Sequence, residues 1–499
     1  MPTPLLQRMW RGYYPGRSGD VLMIERRPHQ FGTRHSTPYS YTQNVPIVLY
    51  GPGYIRSGVI SRREVTVADL APTYAELLEF GEFKAPDGTA LSEALLPPEE
   101  RNGIPKLLVT IVWDGGGDNV LERWPDHWPN LKSLMESGAS FENATAGSSP
   151  SITPAIHASI GTGGFPSSHA VTEIRMRVKD YVVDSWVKDS PRHLKLPTLA
   201  DLWDAAQGNR ARVGFLARDA WQLGMMGHGS YLEEGDRDIA VLDDFESAEF
   251  YTNPKFYSMP DYVNDFTELE HAIQTVDLRD GSADSSWLGN EMLQLTADVR
   301  QTPAWPIYQT NQIIRILDTE DFGEDAVADL FFTNYKSTDM AGHTWNMIKP
   351  EVRDNLAEQD HQLMVLVKAL DRLVGPDDYV LAVTADHGMT PLTTVTGGWS
   401  ISLEEMTADI DAAFGVEEGE ESLIAVNRGY QLYLDRQSLK SHDVTPKEIA
   451  RFLVEYEVRD NSPNGEELGH FDGDKSTRLF LTALTPSQLK RALACATRS

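Results

Sequence analysis

Three carboxylates stand where apolar runs end. Asp114 closes KLLVTIVWD (106–114) and is followed by three glycines. Asp339 follows the apolar part of ADLFFTNYKSTDMAGH (328–343), and Asp386 lies near the end of YVLAVTADHGM (379–389). Two of these stretches add a histidine: His343 four residues after Asp339, and His387 next to Asp386. Carboxylate oxygen and imidazole nitrogen together suit zinc or a similar divalent cation. A hydroxyl completes the set. In SPSITPAIHASIGTGGFPSSHAV (149–171), a loop opens into a helix, with Thr153 predicted at the N-cap and Pro154 at the first helical position. A hydroxyl there faces free backbone N–H groups and the positive end of the helix dipole, a setting that holds phosphate and favours an alkoxide. The chemistry that fits is two-metal phosphoryl transfer. One ion activates the Thr153 hydroxyl, the second binds a phosphate oxygen and the leaving group, and helix-terminal N–H groups meet the charge that develops. Taken singly, each feature is commonplace, since Thr-Pro opens many helices and Asp-His-Gly is a common turn. Their combination carries the argument.

The elements that must position these groups follow from periodicity. Runs that are apolar on both faces predict strands of a parallel sheet covered on both sides, and ligands in such sheets sit beyond the carboxyl ends of the strands. Further strands are expected at 19–25, 45–53 and 211–219. Helices are expected from Thr66, around 131–136 and over 350–374, the last with an apolar stripe at Leu356, Leu363, Val367, Leu370 and Val374. Asp339 and His343 are expected in a glycine-containing loop. The fold class is therefore α/β: a mostly parallel central sheet with helices on both faces, a cap insertion and a smaller lobe. Residues 97–105, rich in Pro and charge, read as a linker. From 228 to about 310–320 the texture turns acidic, aromatic and weakly periodic, as expected for a cap that shapes a substrate pocket. The smaller lobe covers 399–499.

Bulk composition narrows the function. The chain has 499 residues, 41% of them hydrophobic, with a formal net charge of −30. That balance disfavours a nucleic-acid duplex or an anionic membrane as the main partner. It also means that an anionic substrate requires local cations or bound metal. The single cysteine, Cys495, excludes a disulfide framework, a Cys-based zinc site and a Cys-derived nucleophile in the core. No run approaches a membrane span, and MPTPLLQRMWRGYY lacks an apolar signal region, so the cytoplasm is the expected compartment. Oligomeric state has no sequence signal.

The motifs WDGG (113–116), TPAIHASIGTGGFPSSHA (153–170), TDMAGH (338–343), ADHGM (385–389) and GTRHSTPYSYTQNVPIVLYGPG (32–53) resemble those of the alkaline phosphatase superfamily, in its type I phosphodiesterase/nucleotide pyrophosphatase branch. The last of these motifs, with TVADLAPTYAELL, resembles the carboxyl-terminal part of such enzymes yet stands first here. The chain therefore resembles a circularly permuted member. Residues 1–96 would complete the catalytic core, 97–105 join the usual ends, 106–227 carry the nucleophile, 228–320 form the cap, 321–398 carry metal ligands, and 399–499 lead back to the core. The resemblance implies Thr153 as nucleophile, forming a phospho-threonine intermediate. It implies Asp114, Asp386, His387 and Thr153 around one zinc, and Asp339, His343 and His35 around the other. His157 and His169 match positions that support or pack rather than ligate. Two departures bear on substrate. Thr172 stands near where relatives often carry an Asn that contacts a phosphoryl oxygen. GFLARDAW offers Arg218, but Ala220 occupies the second basic position of monoester-selective relatives. The expected activity is thus a dizinc phosphoester hydrolase for small-molecule phosphodiesters or nucleotide-type pyrophosphates. The alternatives are a phosphomonoesterase of the same superfamily and a metal-holding protein without turnover.

Overall fold

A computed structural model describes residues 1–244, 247–462 and 471–496. In chain order its strands are β1 (Val21–Glu25), β2 (Ile47–Tyr50), β3 (Val59–Thr66), β4 (Leu107–Trp113), β5 (Ala139–Thr145), β6 (Arg175–Val178), β7 (Tyr181–Asp184), β8 (Val213–Ala217), β9 (Ile239–Asp243), β10 (Phe250–Tyr251), β11 (Asp329–Tyr335), β12 (Tyr379–Thr384), β13 (Ile424–Asn427), β14 (Gln431–Leu434) and β15 (Phe480–Leu484). Nine of them form one sheet in the order β10-β9-β8-β11-β4-β12-β2-β5-β3. Its centre, β9-β8-β11-β4-β12, is parallel throughout. The α/β fold class with a mostly parallel central sheet is the one expected.

Every residue of β4, β8, β11 and β12 is buried. Alternate side chains enter two separate cores, as the strand period of two requires. Leu108, Val112, Leu330, Phe332, Val380 and Ala382 join one core; Leu107, Val109, Ile111, Phe331, Leu381 and Val383 join the other. Helices cover both faces, among them Thr153–Thr162 on the first and Ala304–Thr319 and Pro350–Leu373 on the second.

Four antiparallel strands, β13-β14-β1-β15, make a second sheet with its own core of Met23, Leu432, Leu434, Ile449 and Phe480. The smaller sheet thus takes one of its two inner strands from residues 21–25. The segment read as a cap supplies β9 and β10 to the edge of the large sheet, and its helices Phe266–Asp277 and Ala304–Thr319 pack into the second core. The helices Thr3–Arg11 and Pro486–Ala496 pack on each other through Leu5, Leu6, Met9 and Leu489.

Two local expectations are corrected. The helix at the hydroxyl starts one residue early, with Ile152 at the N-cap and Thr153 as its first residue, so Thr153 makes no capping bond. Asp339 and His343 lie on a helix, Ser337–Trp345, rather than in a loop. Sδ and Cε of Met389 stand where a β-carbon at Gly342 would point, so a larger residue there would require that side chain to move. Among the described residues, no helix is long and apolar enough to cross a membrane.

Candidate active site

Strand register builds the site. Trp113 lies opposite Tyr335, and Val112 opposite Thr384, so β4, β11 and β12 end side by side. The residues that follow, Asp114, Lys336 and Asp386–His387, therefore leave the sheet at one edge. Gly115 makes the junction possible. Its φ is +70°, and a β-carbon there would stand 3.1 Å from Cα and Cβ of Asp339, so only glycine fits without displacement. Its N–H donates to Asp386 Oδ1 at 3.2 Å.

All of the expected ligands and the expected nucleophile converge here. Asp339 Oδ1 lies 3.8 Å from His35 Nε2 and 3.4 Å from His343 Nε2. The helix puts Asp339 and His343 on one face at i,i+4 spacing. His387 Nε2 is 3.2 Å from Asp386 Oδ2 and 3.5 Å from Asp114 Oδ1. The His35 and His387 rings stack with centroids 3.4 Å apart, which ties the two halves of the cluster together. Ligating atoms of His35, Asp339 and His343 fall close enough to share one ion, as do those of Asp114, Asp339 and His387, and of Asp114, Asp386 and His157. Asp339 Oδ1, Asp386 Oδ2 and His387 Nε2 are buried without a hydrogen-bond partner. Buried orphan atoms of this kind, converging from aspartates and histidines, fit divalent cations.

Lys336 was not foreseen as a site residue. Its Nζ sits 2.8 Å from Asp114 Oδ1 and 2.9 Å from Asp339 Oδ2, and donates to Thr153 Oγ at 3.3 Å. Burial pulls against its charge, but Asp114, Asp339 and Asp386 more than restore it and hold the ammonium above its ordinary pKa. Asp339 resists the upward push of burial, chiefly through Lys336 and His343, and stays well below the usual carboxylate range. Asp386 is likewise held down against burial, by His387 first. Asp114 has no such surplus of cations: burial and the charge of Asp386 push it up to about 7. Burial opposes the charge of His387, but Asp386 and Asp114 raise it to about 9.

Supporting residues fix the geometry. His157 Nδ1 pairs with the Thr153 carbonyl at 2.8 Å and its Nε2 with the Asn334 amide at 2.9 Å, while Asn334 also donates to Asp114 Oδ2 at 3.1 Å. His157 therefore supports the site, whereas His169 bonds Ser159 inside the fold and serves packing. His35, Thr153, Lys336, Asp339 and His343 line a cavity of about 600 Å³, which Arg218 also lines, as does Arg428 from the smaller lobe. Thr172 is a correction. It is fully buried and does not line the cavity, whereas its neighbours Glu173 and Ile174 do. From the segment read as a cap, only Gln301 is among the residues that line this cavity. The sequence does carry Lys336, three residues before Asp339 in NYKSTDMAGH, but a lysine at a strand end reads as solvated.

Comparison with known proteins agrees with this geometry. Residues 108–466 match the family Type I phosphodiesterase / nucleotide pyrophosphatase. Alkaline phosphatase PafA of Elizabethkingia meningoseptica is 25% identical over 427 residues, covering 74% of this chain and 76% of that protein. Alkaline phosphatase PhoV of Synechococcus elongatus is 24% identical over 334 residues, covering 57% of this chain and 59% of that protein. The crystal structure of wild-type PafA superposes with a TM-score of 0.58 at 20% identity, covering 70% of this chain and 76% of the other. With nearly three quarters of its length in the match, the chain belongs to the type I phosphodiesterase/nucleotide pyrophosphatase family of the alkaline phosphatase superfamily, and it is a phosphoester hydrolase.

Proposed function

We propose that the protein is a two-metal phosphodiesterase or pyrophosphatase acting through Thr153. One observation carries the reading: Thr153 Oγ, at the first turn of its helix, is held 3.3 Å from a lysine ammonium that itself spans Asp114 and Asp339. The hydroxyl therefore sits where cationic charge is concentrated, at the base of an open cavity. Asp114, Asp386 and His387, with Thr153, would hold one divalent cation, and Asp339, His343 and His35 the other; zinc suits this donor set. Cations held there would supply Lewis acidity, lowering the pKa of the hydroxyl and neutralising phosphoryl charge.

The chain's own groups do the rest. Thr153 Oγ attacks phosphorus, an Oγ–P bond forms as the ester P–O bond breaks, and the proton lost from the hydroxyl passes through solvent to the departing alkoxide. Water then cleaves the phospho-threonine and restores the hydroxyl. His157 orients the backbone of Thr153, and Asn334 holds Asp114. Lys336 Nζ is within hydrogen-bond reach of the attacking oxygen and adds positive charge beside the transferred group. The positive end of the Thr153–Thr162 helix dipole adds to that field.

Circular permutation belongs to the same reading. It is supported by His35, from the amino-terminal segment, standing beside Asp339 and His343, and by the packing of Thr3–Arg11 on Pro486–Ala496. A monoesterase is the second reading, favoured by Arg218 in the cavity wall and by the names of the relatives PafA and PhoV. The test is hydrolysis of an aryl phosphodiester against the matching monoester by zinc-loaded protein. The diester is expected to be cleaved faster, a chelator to abolish cleavage, and Thr153→Ala to lower kcat by roughly 10³-fold or more. Full activity in Thr153→Ala would end the mechanism, and faster monoester cleavage would select the second reading.

A further inference from the structure

The cavity has a second cationic feature, away from the carboxylate cluster. Arg34 immediately precedes His35, and Arg428 comes from the turn between β13 and β14 of the smaller lobe. Both line the same cavity as Thr153. Their placement is built rather than incidental. Gly429, at φ +89°, lies against the Phe31 ring, so that a β-carbon there would meet Phe31 Cγ at 3.2 Å. Asn427 Oδ1 accepts from the Gly429 N–H at 3.0 Å, and the Arg428 N–H donates to the Gln431 carbonyl at 3.0 Å. The hydroxyl of Tyr430, two residues past Arg428, donates to the Arg34 carbonyl at 3.3 Å, and Thr390 donates to the same carbonyl at 2.8 Å. The turn that carries one arginine thus clamps the backbone of the other.

Charge at this end of the cavity is unbalanced. Glu173, 2% exposed, accepts from Arg428 Nη2 at 3.3 Å and lines the same cavity as both arginines. Arg428 Nε is buried with no hydrogen-bond partner. Holding two guanidiniums together over one carboxylate is unfavourable unless an anion joins them. In a protein of net charge −30, a local surplus of positive charge at the cavity wall also runs against the general field.

We propose that Arg34 and Arg428, oriented by Glu173, form a subsite for a second anionic group of the substrate: a phosphate or carboxylate carried on the ester arm away from the attacked phosphorus. Guanidinium donors match both anions in geometry. The proposal rests on the phosphoester-hydrolase reading of the site. It makes the preferred substrates diesters that bear additional charge, and it gives the smaller lobe a part in choosing them.

The test uses three matched esters and the full-length zinc-loaded protein: 4-nitrophenyl propyl phosphate, and the same compound with a terminal carboxylate or a terminal phosphate on the propyl arm. The expected result is a kcat/KM at least tenfold higher for one or both charged esters than for the plain one. Which of the two gains identifies the anion. Arg34→Gln and Arg428→Gln should each shrink that ratio about tenfold, mainly through KM. Arg34→Gln is the safer variant, because Arg428→Gln also removes the partner of buried Glu173. A ratio at or below one in the unaltered protein, or a ratio that moves less than twofold in both variants, overturns the subsite even if hydrolysis is fast. If none of the esters turns over, the catalytic reading fails by itself. The subsite is then decided by calorimetric affinity for the charged esters, which must fall about tenfold in Arg34→Gln to sustain it.

Discussion

The molecule gathers three carboxylates in two different places, and the two places handle the repulsion in opposite ways. At the active site, Asp114, Asp339 and Asp386 meet a lysine and several histidines, and two of the three carboxylates stay ionised despite complete burial. On the other side of the fold, Asp204, Asp236 and Asp238 also lie within a few ångströms of one another, with no cation among them. There the charge is relieved by protons. Burial, then Asp236, pushes Asp204 up to about 7, and the same two causes hold Asp238 well above the ordinary range. Proximity of carboxylates is therefore not what distinguishes a site. Imported cations and mixed donors make the first cluster a place for anions and metals, whereas the second only lowers its own charge.

The sharpest way to break this contrast is Lys336→Met. It leaves Asp114 and Asp339 buried without their ammonium, which should destabilise metal-free protein by about 3–5 kcal/mol. Zinc should return most of that loss, because cations at the carboxylates replace the missing charge. Urea unfolding with and without zinc reads the difference, and an equal loss in both states would refute the role of the ammonium as an internal counter-ion.

A smaller effect is expected beside the second cluster. His228 Nδ1 faces Asp201 Oδ2 at 2.7 Å and its Nε2 faces the Leu194 carbonyl at 3.1 Å, so both ring nitrogens meet acceptors. Burial opposes the charged ring, but Asp201 prevails and raises its pKa. A raised histidine stabilises fully below its unfolded pKa of about 6.5, and the contribution is lost as pH rises through the folded value. His228→Asn should cost about 2 kcal/mol at pH 6 and progressively less in alkaline buffer, measured as the shift in urea midpoint. A pH-independent loss would show that packing, not charge, is at stake.

The smallest change should come from Asp236→Asn. Asp236 is exposed, and removing its charge relieves Asp204 and Asp238. Raised carboxyl pKa values cost stability increasingly as pH climbs from about 4 towards 7. The variant should thus be stabilised at pH 7 by no more than about 0.5 kcal/mol, unchanged at pH 4, and unaltered in turnover. Lost activity would mean that the second cluster is coupled to the first.

Much of the central sheet was legible because its strands are apolar on both faces. KLLVTIVWD, ADLFFTNY and YVLAVT admit little else, and each ends near the aspartate that was singled out. The two strands at the β3 end of the sheet are harder. VISRREVT and ASFENAT alternate with polar residues because one side faces water, and no strand was read there. The acidic stretch after 228 hid β9 for another reason: only five residues, IAVLD, carry its signal between polar loops. At the site, Asp114, Asp386, His387 and Thr153 were marked by local pattern. His35 gave no local signal, being roughly three hundred residues from Asp339, and entered through resemblance alone.

What the sequence determined by itself was that Asp114, Asp386 and His387 stand at the ends of strands buried on both faces, where ligands of a parallel sheet gather, with a hydroxyl, Thr153, at the start of a helix. Only the tertiary structure decided which donors meet. The register of Trp113 against Tyr335 brings Lys336 between Asp114 and Asp339, the helix Ser337–Trp345 turns His343 towards Asp339, and the smaller lobe carries Arg428 to Arg34. Each of those meetings spans distant segments or depends on a helix in place of a loop. Periodicity specifies faces, whereas long-range packing specifies neighbours.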